Sequence, residues 1–268
     1  RLIHCDLSTS PVLSNSGFKY YLTIVDVFSH FMWTFPLRLK SDIAAILINF
    51  VAYVRTQFSC PLVTMQADNG TKFINSTVTT FFATHGIHLR LSCPYTSAQN
   101  GKAECAIYTI NNVVHTILFQ SSMPPSYWAE ALATATYLVN IRPSQSIGFA
   151  VPYIRLHDTA PNYAALRVFG CLCYPNQSAT ATNKLSPRST ACVFLGYPSN
   201  HKGYRCLDIS TRRVILSRHV VFDETIFPFS YSQERPIDPI AALDFLLDLA
   251  VTQHTPNLHA SSSPAMHG

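Results

Sequence analysis

The run Pro61-Leu62-Val63-Thr64-Met65-Gln66, continued by Ala67-Asp68-Asn69-Gly70, narrows the choice of folds more than any other stretch. It is short, largely apolar and β-branched at its centre, which reads as a buried strand. Asn69-Gly70 then stops it, because both residues accept positive φ. Asp68 is therefore expected at the carboxyl end of an inner strand, the edge at which α/β sheets carry out chemistry. Two more carboxylates occupy comparable places. Asp6 ends an apparent first strand, Leu2-Ile3-His4-Cys5, and Glu104 opens a long apolar-periodic stretch that reads as helix. Three carboxylates at the ends of separate elements can converge on a divalent cation.

The surrounding pattern alternates in the same sense. Lys19–Asp26 and Phe31–Leu37 read as β segments joined by a turn around Val27-Phe28-Ser29-His30, making an antiparallel meander with the first strand. Ser41 is the expected N-cap of a helix running to about Phe58, apolar nearly all round and so placed between layers. A helix near Ser76–His85, a strand at Ile87–Leu91 and the Ser92–Gly101 loop follow the Asp68 strand. Helices are expected from about Gln99 to Gln120 and from about Pro125 to Ile141, with Tyr127 and Trp128 as core anchors. Beyond Leu166 the texture changes to short strands: Arg167–Tyr174, Ser189–Leu195, Gly203–Asp208 and Arg213–Phe222. They suggest a small antiparallel barrel or sheet.

Charge divides the chain differently from its mean. The net charge is +5, and only 12% of residues are charged. Residues 160–220 hold Arg167, Lys184, Arg188, Lys202, Arg205, Arg212, Arg213 and Arg218 against Asp208 alone. Such a segment favours a polyanionic partner. After Phe229 the chain turns acidic and rich in Pro and Ser around an apolar patch at Ile240–Val251, which reads as a disordered linker. The longest apolar run, Ile43 to Val54, is interrupted by Asn49 and too short to cross a bilayer. The 8 cysteines include no Cys-x-x-Cys pair, so buried free thiols are expected and zinc is not.

His4-x-Asp6, Asp68-Asn69-Gly70 and Asn100-Gly101-x-Ala103-Glu104, in this order, resemble the catalytic core of retroviral-type integrases. Gly17-Phe18-Lys19-Tyr20-Tyr21, Ser92-Cys93-Pro94-Tyr95-Thr96 and Tyr127-Trp128-Ala129-Glu130-Ala131 narrow the resemblance to copia-type long-terminal-repeat retrotransposons of plants. Leu166-Arg167-Val168-Phe169-Gly170-Cys171 and Cys192-Val193-Phe194-Leu195-Gly196-Tyr197 do the same. The resemblance covers roughly residues 1 to 230 and implies a ribonuclease-H-like core at 1–145. A connector at 146–165, a small basic β module at 166–228 and a linker at 229–268 would follow, as part of a longer polyprotein. It implies catalytic, metal-binding roles for Asp6, Asp68 and Glu104 with two Mg²⁺ or Mn²⁺ ions. Tyr95, Gln99, Asn100 and Lys102, in and after the loop before Glu104, would hold a DNA end. The partners implied are the element's own DNA ends and target DNA, in a homo-oligomer acting in the nucleus after a cytoplasmic particle stage.

Departures from the family pattern set a second reading beside the first. Lys72 stands where the family has Glu, Ser8 where it has Trp, Val27 where it has a second Asp, and Cys105 and Tyr108 where it has Arg. No Lys or Arg occurs between Lys102 and Arg142, which leaves His115 as the one titratable cation of that helix. The two readings are an integrase region, impaired in this copy, and a non-catalytic nucleic-acid-binding remnant. A ribonuclease-H-like nuclease is a third, disfavoured because the copia-type motifs extend well past the acids. His4 is expected to pack or bond locally.

Overall fold

The computed structural model describes residues 2–68, 73, 75–93, 100–177, 188–198 and 202–230. Tyr95, Gln99, Lys184, Lys72 and the acidic segment beyond residue 230 lie outside them.

A five-stranded mixed sheet, in the order β3-β2-β1-β4-β5, carries the first half of the chain. Strands β1 (Leu2–Thr9), β2 (Tyr20–Asp26) and β3 (Met32–Leu37) form the expected antiparallel meander. Strands β4 (Thr64–Ala67) and β5 (His88–Leu91) join it in parallel. The helices that cross between them are α1 (Ile43–Phe58) and α2 (Ser76–Thr84). This is the order expected of a ribonuclease-H-like core.

Helix α1 differs from its sequence reading. A 3-10 turn, Lys40–Asp42, precedes it, and the Asp42 carboxylate accepts from the Leu39 N–H at 3.1 Å, so Ser41 is not its cap. Only Ile43, Leu47, Phe50, Val51 and Val54 are buried, on one face, while Ala45, Asn49 and Tyr53 are exposed. The helix lies on the sheet with its other face in water. Its apolar stripe packs with Ile3, Cys5 and Leu7 of β1, Leu22 and Ile24 of β2, and Val78 and Phe82 of α2. Each fully buried Leu, Ile or Phe there is worth about 1.5–3 kcal/mol of transfer energy.

The opposite face of the sheet carries α3 (Gly101–Gln120) and α4 (Trp128–Ile141), the latter entered through a 3-10 turn at Pro125–Tyr127. Trp128 and Tyr127 are buried as expected, and the Trp128 indole N–H donates to the Val12 carbonyl at 3.0 Å. A further short helix, α5 (Pro152–His157), was not evident in the sequence, where Pro152 at the first turn is its one local signal.

The second sheet has the order β10-β6-β7-β8-β9: β6 (Leu172–Pro175), β7 (Cys192–Phe194), β8 (Tyr204–Asp208), β9 (Val214–Ser217) and β10 (Val220–Asp223). The expected strand at Arg167–Tyr174 begins only at Leu172, because Phe169-Gly170 turns the backbone at a Gly170 φ of +81°. The expected strand Arg213–Phe222 is two strands, pairing with opposite edges of the sheet. Cys171, Cys173, Cys192 and Cys206 pack with Phe194 into its core. Burial pushes the Cys192 thiol up to about 11 and the Cys171 thiol up to about 12, and a hydrogen bond with Cys206, then burial, raises Cys173. Cys93 and Cys105, by contrast, are exposed thiols.

This sheet shares an apolar core with α3 and α4: Phe169, Val193, Leu195 and Leu207 pack with Ile110, Leu118, Trp128 and Leu132. Two glycines permit the approach. A Cβ on Gly170 would overlap Ser121 at the end of α3, and one on Gly196 would overlap Thr134 Oγ1 on α4. Beside them Arg205 of β8 meets Glu130 of α4 at 4.0 Å, and Glu130 also accepts from the Ser16 hydroxyl at 3.0 Å. Glu130 Oε2, Arg205 Nε and Thr134 Oγ1 are buried there without a hydrogen bond within the protein.

Candidate active site

Period-two alternation decides what β1 offers. Ile3, Cys5 and Leu7 are buried towards α1 and α2, so His4, Asp6 and Ser8 face the α3 side. Asp6 lies inside this strand instead of at its end. The antiparallel pairing with β2 continues to Thr9↔Tyr20, whereas the parallel pairing with β4 stops at Cys5↔Ala67. Asp6 and Asp68 are each the next residue after that last pair. The end that matters is thus the end of the parallel ladder, and the expected juxtaposition survives the correction.

Glu104 arrives from α3, whose first turn is pinned to β1 by Asn100. The Asn100 amide is 1% exposed; its Nδ2 donates to the Cys5 carbonyl at 3.1 Å, and its Oδ1 meets His4 Nδ1 at 3.2 Å. An amide oxygen only accepts, so His4 Nδ1 carries the proton. Asn100 is therefore occupied in joining the start of α3 to the strand of Asp6. That burial turns its amide towards the fold instead of towards solvent. His4 is fixed by the same amide, and burial lowers its pKa.

Glu104 senses both aspartates. Burial, then the charges of Asp6 and Asp68, raise the pKa of Glu104 above the ordinary glutamate value. Asp6 Oδ1 also accepts from the Leu7 N–H at 2.7 Å, which fixes one side of that carboxylate. All three are half-exposed, so solvent and ligands reach them. Among the described residues, no three His, Cys, Asp or Glu side chains stand close enough together to hold one ion as they are. Unscreened like charges repel, and a donor set of carboxylate oxygens alone suits a hard divalent cation. The residues fit such an ion by the chemistry of their donor atoms.

Lys102, two residues before Glu104, is exposed, and its Nζ lies 3.1 Å from His30 Nε2. Beyond Glu104 the exposed stripe of α3 runs through Cys105, Tyr108, Asn112, Thr116 and Phe119, with no formal charge; Tyr108 is 58% exposed. The departures Cys105 and Tyr108 thus fall on the solvent face, beside the carboxylates. His115 is half-buried and held towards its neutral form by burial.

The basic segment divides into two sets. Arg188, Lys202, Arg212, Arg213 and Arg218 are exposed on the second sheet and its turns. Arg167 is engaged locally: its guanidinium donates to the Ala164 carbonyl at 3.0 Å, lies 3.7 Å from Glu224 and stacks over Phe222. Arg205 is turned to Glu130. Net charge marked the segment, but it could not separate arginines in water from arginines that hold the fold. Sequence reasoning also passed over Glu130 and His30, and only its tertiary partner makes either legible.

Residues 1–97 match the family described as "Integrase core domain", and residues 171–235 match "Retroviral polymerase SH3-like domain". The chain is 39% identical over 228 residues to the "Retrovirus-related Pol polyprotein from transposon RE1" of Arabidopsis thaliana, covering 85% of this chain and 15% of that protein. It is 37% identical over 228 residues to the RE2 polyprotein of the same plant, covering 85% of this chain and 16% of that protein. To the TNT 1-94 polyprotein of Nicotiana tabacum it is 32% identical over 225 residues, covering 84% of this chain and 17% of that protein. The chain therefore spans less than a fifth of the length of these curated relatives. Strand order, the helix that delivers Glu104 and these matches agree: the chain belongs to the copia-type retrotransposon Pol family, of which it carries the integrase core domain followed by the SH3-like domain.

Proposed function

We propose that this region acts as a metal-dependent polynucleotidyl transferase on DNA, trimming the element's 3′ ends and joining them to a target strand. The observation that supports the reading is that Asp6 and Asp68 each follow the last pair of the parallel β1–β4 ladder, with Glu104 on the first turn of α3 within electrostatic reach of both. Asp6, Asp68 and Glu104 would hold the divalent ions, Mg²⁺ or Mn²⁺, which integrase core domains generally use. When bound, such ions activate an oxygen nucleophile and stabilise the leaving oxygen of a phosphodiester. The protein's own part is positional. The Asn100 amide fixes α3 against β1, and with it Glu104 against Asp6. The exposed Arg188, Lys202, Arg212, Arg213 and Arg218 supply a nonspecific phosphate-binding surface, whose affinity falls steeply with salt. By family likeness the working form is a homo-oligomer on paired element ends, acting in the nucleus after a cytoplasmic particle stage.

The uncharged face of α3 at Cys105 and Tyr108 favours an impaired copy, and a non-catalytic DNA-binding remnant is the second reading. A strand-transfer assay with matched terminal-repeat oligonucleotides in Mg²⁺ or Mn²⁺ tests both. The expected result is weak joining, abolished by Asp68→Asn, with Mg²⁺ raising thermal stability in the parent but not in that variant. Joining that survives Asp68→Asn, or a melting temperature indifferent to Mg²⁺, would defeat the catalytic reading.

A further inference from the structure

Beside the carboxylates, three segments distant in sequence build a second surface of different chemistry. The β2–β3 turn is held rigid by Asp26, whose carboxylate accepts from the Ser29 N–H at 2.8 Å and the Ser29 hydroxyl at 2.6 Å. That turn presents Phe28 at 60% exposure and fixes His30 at a φ of +59°, rare outside glycine. An ammonium can only donate, so His30 Nε2 accepts from Lys102 Nζ at 3.1 Å, and His30 Nδ1 carries the proton towards Ser146 Oγ at 3.0 Å. His30 thereby ties the start of α3 to the loop before α5. From α5 the Arg155 guanidinium stacks 5.1 Å from the centroid of Phe28. Lys102 and Arg155 both act electrostatically on His30; the one acid that does so, Asp26, is buried and spent on Ser29.

Two cations, an exposed ring already stacked by one of them, and no exposed acid among the charges that act on His30 match one ligand class. We infer that Phe28, Arg155, Lys102 and the His30 that orients it form a binding site for a single unpaired nucleotide. Its phosphate lies between Lys102 and Arg155, and its base stacks on the Phe28–Arg155 platform. An ammonium has three N–H groups and His30 takes one, so Lys102 keeps donors for a phosphate oxygen. A base must leave its duplex stack to lie on a ring, which restricts the site to single-stranded, frayed or flipped nucleotides. Lys102 is two residues from Glu104, so a strand held here passes beside the carboxylates. The inference rests on the proposed action on DNA for its ligand class, although binding at this site needs no metal.

The test uses the full chain in EDTA with a fluorescein-labelled oligothymidylate of about eight nucleotides, within the usual site sizes of single-strand binders. Fluorescence anisotropy gives its affinity, with a blunt duplex of equal length as reference. Phe28→Ala is expected to weaken single-strand binding about tenfold and leave duplex binding unchanged, while Phe28→Trp retains it. Arg155→Ala should weaken single-strand binding by more than it weakens duplex binding. Equal loss for both nucleic acids in Phe28→Ala, no loss for either, or equal competition by an abasic strand of the same length would each overturn the site. Asp68→Asn separates the two readings. It should leave oligothymidylate binding intact while removing metal-dependent joining, so an inactive parent protein does not bear on this result.

Discussion

Gly196→Ala measures how firmly the second sheet is seated on α4. Two costs add at this position. The backbone has a φ of +100°, which side-chain-bearing residues rarely adopt, at about 1–3 kcal/mol. The new methyl would also overlap Thr134 Oγ1, in a core shared by two elements that cannot separate without exposing Val193, Leu195 and Leu207. Overpacking of this kind costs about 1–3 kcal/mol. The sum is about 2–6 kcal/mol. Gly86→Ala is the internal control: its φ is +67° and nothing lies within 4 Å of the added carbon, so only the backbone cost applies, about 1–2 kcal/mol. Thr134→Ala removes the atom in the way, and because Thr134 Oγ1 has no hydrogen bond within the protein, that change alone stays within about 1 kcal/mol. The double variant should recover about 1–3 kcal/mol of the loss, as a positive coupling in a double-mutant cycle. Urea unfolding followed by circular dichroism gives the four stabilities, with the slope confirming an unchanged transition. If Gly196→Ala costs no more than Gly86→Ala, or the double variant recovers nothing, the close approach of β7 to α4 is not what holds the sheet in place.

Asp6→Asn or Asp68→Asn should lower the pKa of Glu104 towards its ordinary value, read by carbon-13 titration of the carboxyl. A raised folded-state pKa destabilises above that pKa and is harmless below the unfolded value, so each variant should be more stable than the parent at neutral pH and lose that advantage in acid. Asp208 is held down to about 2, first by the Ser210 hydroxyl and then by the Thr211 N–H. Its contribution to stability is complete above the unfolded value of about 3.9 and lost as pH falls through about 2. Asp208→Asn should flatten acid unfolding in that window. Cys105→Arg with Tyr108→Arg should raise strand transfer at least tenfold, about 1.4 kcal/mol of transition-state stabilisation. Unchanged joining would show that the bare face of α3 is not the defect.

The sequence disclosed the order of elements because hydrophobic period changes visibly between them, from two in β1–β3 to nearly four in α3 and α4. It placed Asp68 and Glu104 correctly, since each is marked locally: one by a turn signal, the other by the start of a periodic run. Asp6 was read as a strand end because Leu2–Cys5 is apolar and Asp6 is not. Local polarity cannot reveal that β1 pairs with β2 over a longer stretch than with β4. The split of β9 from β10 at Arg218-His219 was hidden for a similar reason, as no Gly or Pro announces it. Helix α1 looked uniformly apolar because alanines and a tyrosine fill its wet face, where they cost little. Partnerships were the least legible feature. Nothing near Arg205 in the chain foretells Glu130, and nothing near Asn100 foretells Cys5.

Those hidden partnerships explain why this site can be exact on a surface that is half open to water. Glu104 stands on the first turn of α3, and a helix end is held only as well as the helix beneath it. Asn100 fixes that end to β1, while Ile110 and Leu118 farther along lie in the core shared with Phe169 and Leu195 of the second sheet. At the far end of the helix Ser121 abuts Gly170. One helix is thus clamped at both ends and along its length, by the first sheet at the carboxylates and by the second sheet elsewhere. A shift of about 1 Å in reacting groups can cost about a hundredfold in rate, so under the proposed function the second sheet would bear on catalysis whether or not its arginines touch DNA. This gives the close approach at Gly170 and Gly196 its reason: the SH3-like domain secures the helix that aims Glu104, and its exposed basic residues are a separate property of the same sheet.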